Sequence, residues 1–170
     1  MAAQNTKPLP LDQNVLDAHK QYSQMTCIPM AVEFVLKLLG KIPPDSFELQ
    51  RTWIDGRRDF GEFDGKTIEG VRFRSHYTPP DRGDDFPLED LFSMVEQEFK
   101  AGRYVIVSLP ANGNYHSWII YNQLPNGEFE AVTKGRETDR IDNVREIVGG
   151  MKGTDILTYE DSAPETATGR

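Results

Sequence analysis

The stretch that decides the fold is QYSQMTCIPMAVEFVLKLLG, residues 21–40. It holds the only cysteine of the chain, Cys27, directly before a run that is apolar on almost every side. Pro29 suits the first turn of a helix, where its missing N–H is not needed, and Gly40 is typical of a helix end. Because helices that are apolar all round lie at the centre of a domain, the sequence predicts a buried helix with Cys27 at its N-terminus.

Outside this helix, the chain reads as helical in its first half and as β-structure in its second half. The order of helices followed by strands predicts an α+β fold, in which the Cys27 helix packs against an antiparallel sheet. The other predicted elements are a short helix or an extended lead-in at 11–22, helices at 45–54, 88–101 and 139–148, strands at 104–109, 116–121, 127–133 and 155–159, and a long loop at 55–85 with a short strand at 71–74.

The chain length of 170 residues predicts one domain. We place that domain at residues 11–159, between a flexible arm at 1–10 and a flexible tail at 160–170. The 19 basic and 27 acidic side chains leave a net charge of −8, which argues against nucleic acid as the main partner. A single cysteine excludes an internal disulfide and a Cys-rich metal site, and no cofactor-binding motif is present.

The longest apolar stretch, residues 30–39, is too short to span a bilayer, so no membrane span is expected. The first eleven residues lack the apolar core of a signal peptide. We therefore expect a soluble protein that is cytoplasmic, or exported by a route without a general secretory signal.

The one thiol lies where a reactive thiol is favoured. A helix N-terminus carries a positive partial charge, which lowers the pKa of a cysteine and favours the nucleophilic thiolate. Such a nucleophile needs a base that takes and returns protons. Of the three histidines, His116 is the best placed, at the start of a predicted strand.

Two segments of the chain together resemble the papain-like cysteine peptidases, and most closely the bacteriocin-processing (double-glycine) peptidase domains and their relatives. Gln21 lies six residues before Cys27, and Ala31 lies four residues after it, as in that family. The segment KAGRYVIVSLPANGNYHSWIIYN, residues 100–122, follows the family's order of helix end, apolar strand, short loop, histidine and second apolar strand.

The resemblance implies a papain-like fold and a cysteine hydrolase that cleaves a peptide or isopeptide bond in a peptide or protein substrate, without a cofactor. Cys27 would attack the carbonyl, and His116 would act as general base and then as general acid. Gln21 would stabilise the oxyanion together with the backbone N–H of Cys27.

The chain departs from the family at two places. Ile28 and Pro29 stand where the family has glycine after the cysteine. Val132 and Thr133 stand where the family has the Asp or Asn that orients the histidine. We take Thr133 as the first candidate for that role, and the nearby carboxylates are Glu130, Glu137 and Asp139.

Two other functions remain open from the sequence. An acyl or amide transferase would use the same Cys–His dyad and release the thioester to an amine. A catalytically degenerate papain-like module would bind a partner and keep Cys27 and His116 as remnants. The presence of Gln21 favours an intact site, whereas the residues at 132 and 133 favour the degenerate module.

Overall fold

A computed structural model describes residues 4–23, 26–52, 59–111 and 113–161. These residues form an α+β fold around a seven-stranded antiparallel sheet. The helices are α1 (Gln13–Ala18), α2 (Cys27–Leu38), α3 (Glu48–Thr52), α4 (Leu88–Lys100) and α5 (Val144–Met151), with a 3₁₀ helix at Phe60–Phe63. The strands are β1 (Thr67–Ile68), β2 (Val71–His76), β3 (Val105–Ala111), β4 (Asn114–Gln123), β5 (Phe129–Lys134), β6 (Thr138–Ile141) and β7 (Ile156–Asp161).

Helix α2 is the buried helix that the sequence predicts. It begins at Cys27, and Gly40 follows its end with a positive φ of 75°. Its residues from Ile28 to Lys37 are all buried, including the charged Glu33 and Lys37. The prediction of an α+β fold with this helix against an antiparallel sheet is therefore confirmed.

The sheet is covered on both faces, and each face has its own core. On the α2 face, Ile106 of β3 and Ile119 of β4 pack with the helix. On the opposite face, Val107 and Ile120 pack with α4 and α5. Because side chains alternate along a strand, consecutive residues of β3 and β4 face different helices. This alternation decides which polar side chains meet Cys27.

The strand order is β1-β2-β7-β3-β4-β5-β6, so the last strand of the chain inserts between β2 and β3. The expected long loop at 55–85 therefore needs a correction, because its second half supplies the edge hairpin β1–β2. Val71 and Phe73 are buried while Arg74 is exposed, which is the period-two pattern of a strand covered on one face.

Another correction concerns the helix predicted at 139–148. Residues 138–141 form β6, in which Asp139 pairs with Thr133 of β5, and the helix begins only at Val144. The predicted helix at 45–54 corresponds to α3, and its last two positions lie outside the described residues.

The two chain ends also differ from the predicted domain limits. Within the expected arm, the N–H of Asn5 donates to the Lys100 carbonyl and the N–H of Leu9 donates to the Tyr121 carbonyl. At the other end, β7 extends to Asp161, and the rest of the predicted tail, residues 162–170, lies outside the described residues.

In the described ranges, no helix has the length and apolarity needed to cross a membrane.

Candidate functional site

A cavity of about 290 Å³ opens at the N-terminus of α2. Its walls come from the first turn of α2, the 3₁₀ helix, the loop before α4, the ends of β3 and β4, and the start of β7. The residues that line it are Cys27, Ile28, Pro29, Asp59, Phe60, Pro80, Arg82, Ser108, Asn114, Tyr115, His116, Ser117 and Asp155. Two of the predicted site residues, Cys27 and His116, thus share one cavity.

The start of α2 is held in place by Gln50 of α3. The Gln50 carboxamide oxygen accepts from the Thr26 hydroxyl at 3.0 Å and from the Tyr22 N–H at 2.6 Å. The same hydroxyl lies 2.9 Å from the Ser23 carbonyl, so its single proton is shared between these two acceptors. These bonds anchor the segment that leads into Cys27, and so set where the thiol enters the cavity.

The environment of Cys27 differs from the sequence prediction. Burial raises the pKa of the Cys27 thiol above its ordinary value, and hydrogen bonding from Ser117 and from the N–H groups of Cys27 and Ile28 offsets part of that rise. The predicted lowering of the pKa by the helix N-terminus is therefore wrong in direction, because loss of water outweighs the local donors. At neutral pH the thiol is protonated.

Strand alternation explains why Ser117 meets the thiol. Ser117 lies two residues before Ile119 on β4 and pairs with Ser108 of β3, so both serines lie on the α2 face. Beyond Ser108, across the β3–β7 pair, lies Asp155, whose carbonyl accepts from the Ser108 N–H at 3.4 Å. Asp155, Ser108 and Ser117, which we name the polar row, run across the sheet below Cys27.

His116 contributes to the cavity wall, but its ring contacts lie with the other face of the sheet. It pairs with Leu109, which is part of the core under α4 and α5, and its ring meets the Trp118 ring edge-on at 6.4 Å. Burial lowers the pKa of His116, while the charge of Asp139 and a hydrogen bond to the Lys134 carbonyl raise it.

The predicted hydrogen bond between Cys27 and His116 is absent from the contacts of the described residues. Ser117 acts on the pKa of the thiol, and the Lys134 backbone acts on the pKa of the imidazole. The physical reason is alternation: Ser117 and His116 are consecutive residues of one strand, and only one of them can face α2.

The other two predicted site residues also have partners of their own. The Thr133 hydroxyl donates to the Ser117 carbonyl at 2.7 Å, and the contacts of the described residues include no hydrogen bond between Thr133 and His116. Asp139, which pairs with Thr133, is the carboxylate whose charge acts on the ring. The Gln21 amide donates to the Ser23 carbonyl at 2.5 Å, and its buried oxygen has no hydrogen-bond partner among the described residues. Gln21 is not among the residues that line the cavity, and its role at the oxyanion stays a prediction.

Sequence reasoning missed Asp155, which is the most buried carboxylate in the cavity wall at 6% exposure. The Thr78 hydroxyl donates to its Oδ2 at 3.0 Å. Burial raises the pKa of Asp155, an effect opposed by the Thr78 hydrogen bond and by the charge of Arg82. The only sequence signal for it is an acidic residue directly before a buried apolar strand.

No protein-family model matches the chain, and the curated proteins contain no significant match to it. The described residues also hold no group of three or more His, Cys, Asp or Glu side chains placed to bind a metal ion. The function must therefore be argued from the cavity.

Proposed function

We propose that the protein is a papain-like cysteine hydrolase that cleaves an amide bond of a peptide or protein, with Cys27 as nucleophile and His116 as base. The observation that carries the proposal is the shared cavity: a thiol at a helix N-terminus and an imidazole line the same space of about 290 Å³. Sites for small molecules and peptide segments are concave spaces of this kind, with few polar groups that converge.

In the proposed reaction, His116 accepts the Cys27 proton as the sulfur attacks the substrate carbonyl. The imidazolium then protonates the departing amine, which leaves a thioester on Cys27. Water attacks the thioester, gives one proton to His116, and releases the acid, after which the thiol recovers its proton. The protonated resting thiol fits this order of events, because deprotonation is coupled to attack. Because the His116 ring rests toward the other face of the sheet, the proposal requires this side chain to turn toward the thiol when substrate binds; catalytic hydrogen bonds are often loose or unformed without substrate.

The test is labelling of Cys27 by a peptidyl vinyl sulfone, followed by intact-protein mass spectrometry. We expect His116→Ala to slow labelling by a factor of about 100 or more, which is the usual contribution of a general base. The matched control is His76→Ala, since His76 is also partly buried but bonds to Thr158 outside the cavity. Cys27→Ala should remove labelling entirely. If His116→Ala reacts as fast as the parent protein, His116 is not the base and the hydrolase proposal fails.

A second candidate is a degenerate papain-like module that binds a peptide without cleaving it. The observation that favours it is the resting contact of the thiol, which is with Ser117 and not with an imidazole. Under this reading, the vinyl sulfone labels the parent and His116→Ala equally slowly. This reading also predicts that the protein binds some peptides of a mixed library saturably and hydrolyses none of them.

A further inference from the structure

The cavity wall contains a buried carboxylate that the proposed chemistry does not use. Asp155 is 6% exposed, and the one side chain that donates to it within the described part of the chain is the neutral Thr78 hydroxyl. None of the ion pairs among the described residues includes Asp155. Because buried charges are normally paired with an opposite charge, an unpaired carboxylate that faces a cavity points to a cation supplied from outside.

Arg82, the cation that lines the same cavity, has other contacts. Its Nε donates to the Gly153 carbonyl at 3.0 Å, and its guanidinium lies over the Tyr115 ring at 4.7 Å. Among the described residues, the charged groups around the space are Asp59 and Asp155 against Arg82.

The polar row sets the distance from the Asp155 carboxylate to the thiol. Ser117, Ser108 and Asp155 lie on three neighbouring strands or their direct extensions, β4, β3 and β7. Two strand spacings separate Asp155 from Ser117, which is about 10 Å. A long side chain beside the scissile bond can cross such a distance, whereas a short one cannot.

We propose that the cavity takes a peptide segment with a basic residue, Arg or Lys, next to the bond that Cys27 attacks, and that Asp155 binds the cationic group of that residue. The proposal rests on the proposed hydrolase function for the position of the bond, but the cation site itself does not need the thiol to react. Asp155 is here a specificity-determining residue, and no covalent step is assigned to it.

The experiment compares two alkylating probes of the same shape, the chloromethyl ketones of Nα-acetyl-arginine and Nα-acetyl-citrulline. Citrulline replaces the guanidinium by a neutral urea. Each rate is divided by the iodoacetamide rate of the same protein, so that changes in the thiol itself cancel. We expect the parent protein to prefer the arginine probe by about tenfold or more, because a hydrogen bond to a charged group is worth about that factor. Asp155→Asn should bring the ratio to within about twofold, while keeping an acceptor for Thr78.

The matched control is Asp81→Asn, which removes the same charge from an exposed residue outside this cavity and should keep the preference. If the parent shows no preference while Cys27 is labelled normally, the substrate class is wrong and the hydrolase proposal stands. If Cys27 reacts with neither probe, the hydrolase proposal fails. The cation site is then tested by itself. Calorimetry compares the binding of Nα-acetyl-arginine amide and of its citrulline counterpart to the Cys27→Ala variant. Equal binding of the two amides overturns the cation site.

Discussion

Two groups of buried polar side chains lie on either side of the start of α2, and they differ in how many partners they have. Behind the helix lies what we name the buried network: His19, Glu33, Lys37 and Gln50, all nearly inaccessible to water. In front of it lies the cavity, with Cys27 and the polar row of Asp155, Ser108 and Ser117.

The buried network satisfies its polar atoms internally. Nε2 of His19 lies 3.0 Å from the Met30 carbonyl, which only accepts, so this nitrogen carries the proton. Nδ1 of His19 therefore accepts from the Lys37 ammonium at 2.8 Å. The two carboxylate oxygens of Glu33 accept from the Gln50 amide and from the Leu49 N–H, at 2.9 and 3.0 Å. Such a group of mutual partners stabilises the fold and leaves nothing for a ligand.

The cavity shows the opposite arrangement. Asp155 is nearly as buried as the network residues, but it has one neutral side-chain donor and an open space beside it. The lesson of the comparison is that burial of charge alone does not indicate a functional site. The indication comes from a buried charge whose partners within the chain are too few. Substitutions on the two sides of α2 should therefore change different quantities.

The largest effect on stability is expected for Gln50→Ala in the buried network. The substitution leaves the Tyr22 N–H without its acceptor, removes one of the two acceptors beside the Thr26 hydroxyl, and removes a donor from the buried Glu33 carboxylate. We expect the free energy of unfolding to fall by about 3–5 kcal/mol, the range for breaking a buried charged network. Urea denaturation of the parent protein and the variant measures this difference in the free energy of unfolding.

The control is Gln13→Ala, since Gln13 is an exposed residue with a single bond to Asp17, and it should change stability by less than about 0.5 kcal/mol. A loss below about 1 kcal/mol for Gln50→Ala would mean that the network is not what holds the start of α2.

The next largest effect is a pH dependence of stability caused by His19. Burial and the neighbouring Lys37 charge lower the pKa of His19 from 6.5 to about 3. As pH falls below 6.5, the unfolded chain takes up a proton that the folded chain does not accept until about pH 3, so stability is lost across that window. Between pH 7 and pH 5 we expect the parent to lose about 2 kcal/mol more than His19→Gln.

Urea unfolding of the two proteins at both pH values gives this difference, and the other titrating groups cancel in it. Parallel stability curves for parent and variant would show that His19 is protonated in the folded state, contrary to the bond from Lys37.

The sequence predicted α2 well because its signals are local. Pro29, the apolar run and Gly40 each act within one or two turns of the helix, and the observed bounds agree. The edge hairpin was recognised only in part, since β2 is stabilised by pairing with β7, which lies some eighty residues later in the chain. Local patterns carry no information on such a pairing.

The sequence predicted two residues of the cavity wall, Cys27 and His116, but not their contacts. Cys27 and His116 do line one cavity, as the resemblance implied. The sequence did not predict which of His116 and Ser117 faces α2, because a strand's register decides that, and a shift of one residue exchanges the two faces. Asp155 was not foreseen, since it joins the site only through the insertion of β7 beside β3.

The smallest expected effect tests the cavity side of the comparison, through the reactivity of Cys27. Hydrogen bonding from Ser117 lowers the pKa of the thiol against the larger effect of burial. Ser117→Ala removes the hydrogen bonding from the Ser117 side chain, so the thiolate fraction at neutral pH should fall. One such bond is worth about 1 kcal/mol, which corresponds to an iodoacetamide rate about fivefold lower at pH 7.

Ser108→Ala is the matched control, because Ser108 lines the same cavity on the neighbouring strand and makes no bond to the thiol among the described contacts. Its alkylation rate should equal that of the parent, and neither serine variant should lose much stability, in contrast to Gln50→Ala. The full rate profile against pH should rise only above the range of an ordinary thiol, since burial dominates. A profile that rises well below pH 8, unchanged by Ser117→Ala, would mean that the thiol pairs with an imidazolium in solution and that Ser117 is not its resting partner.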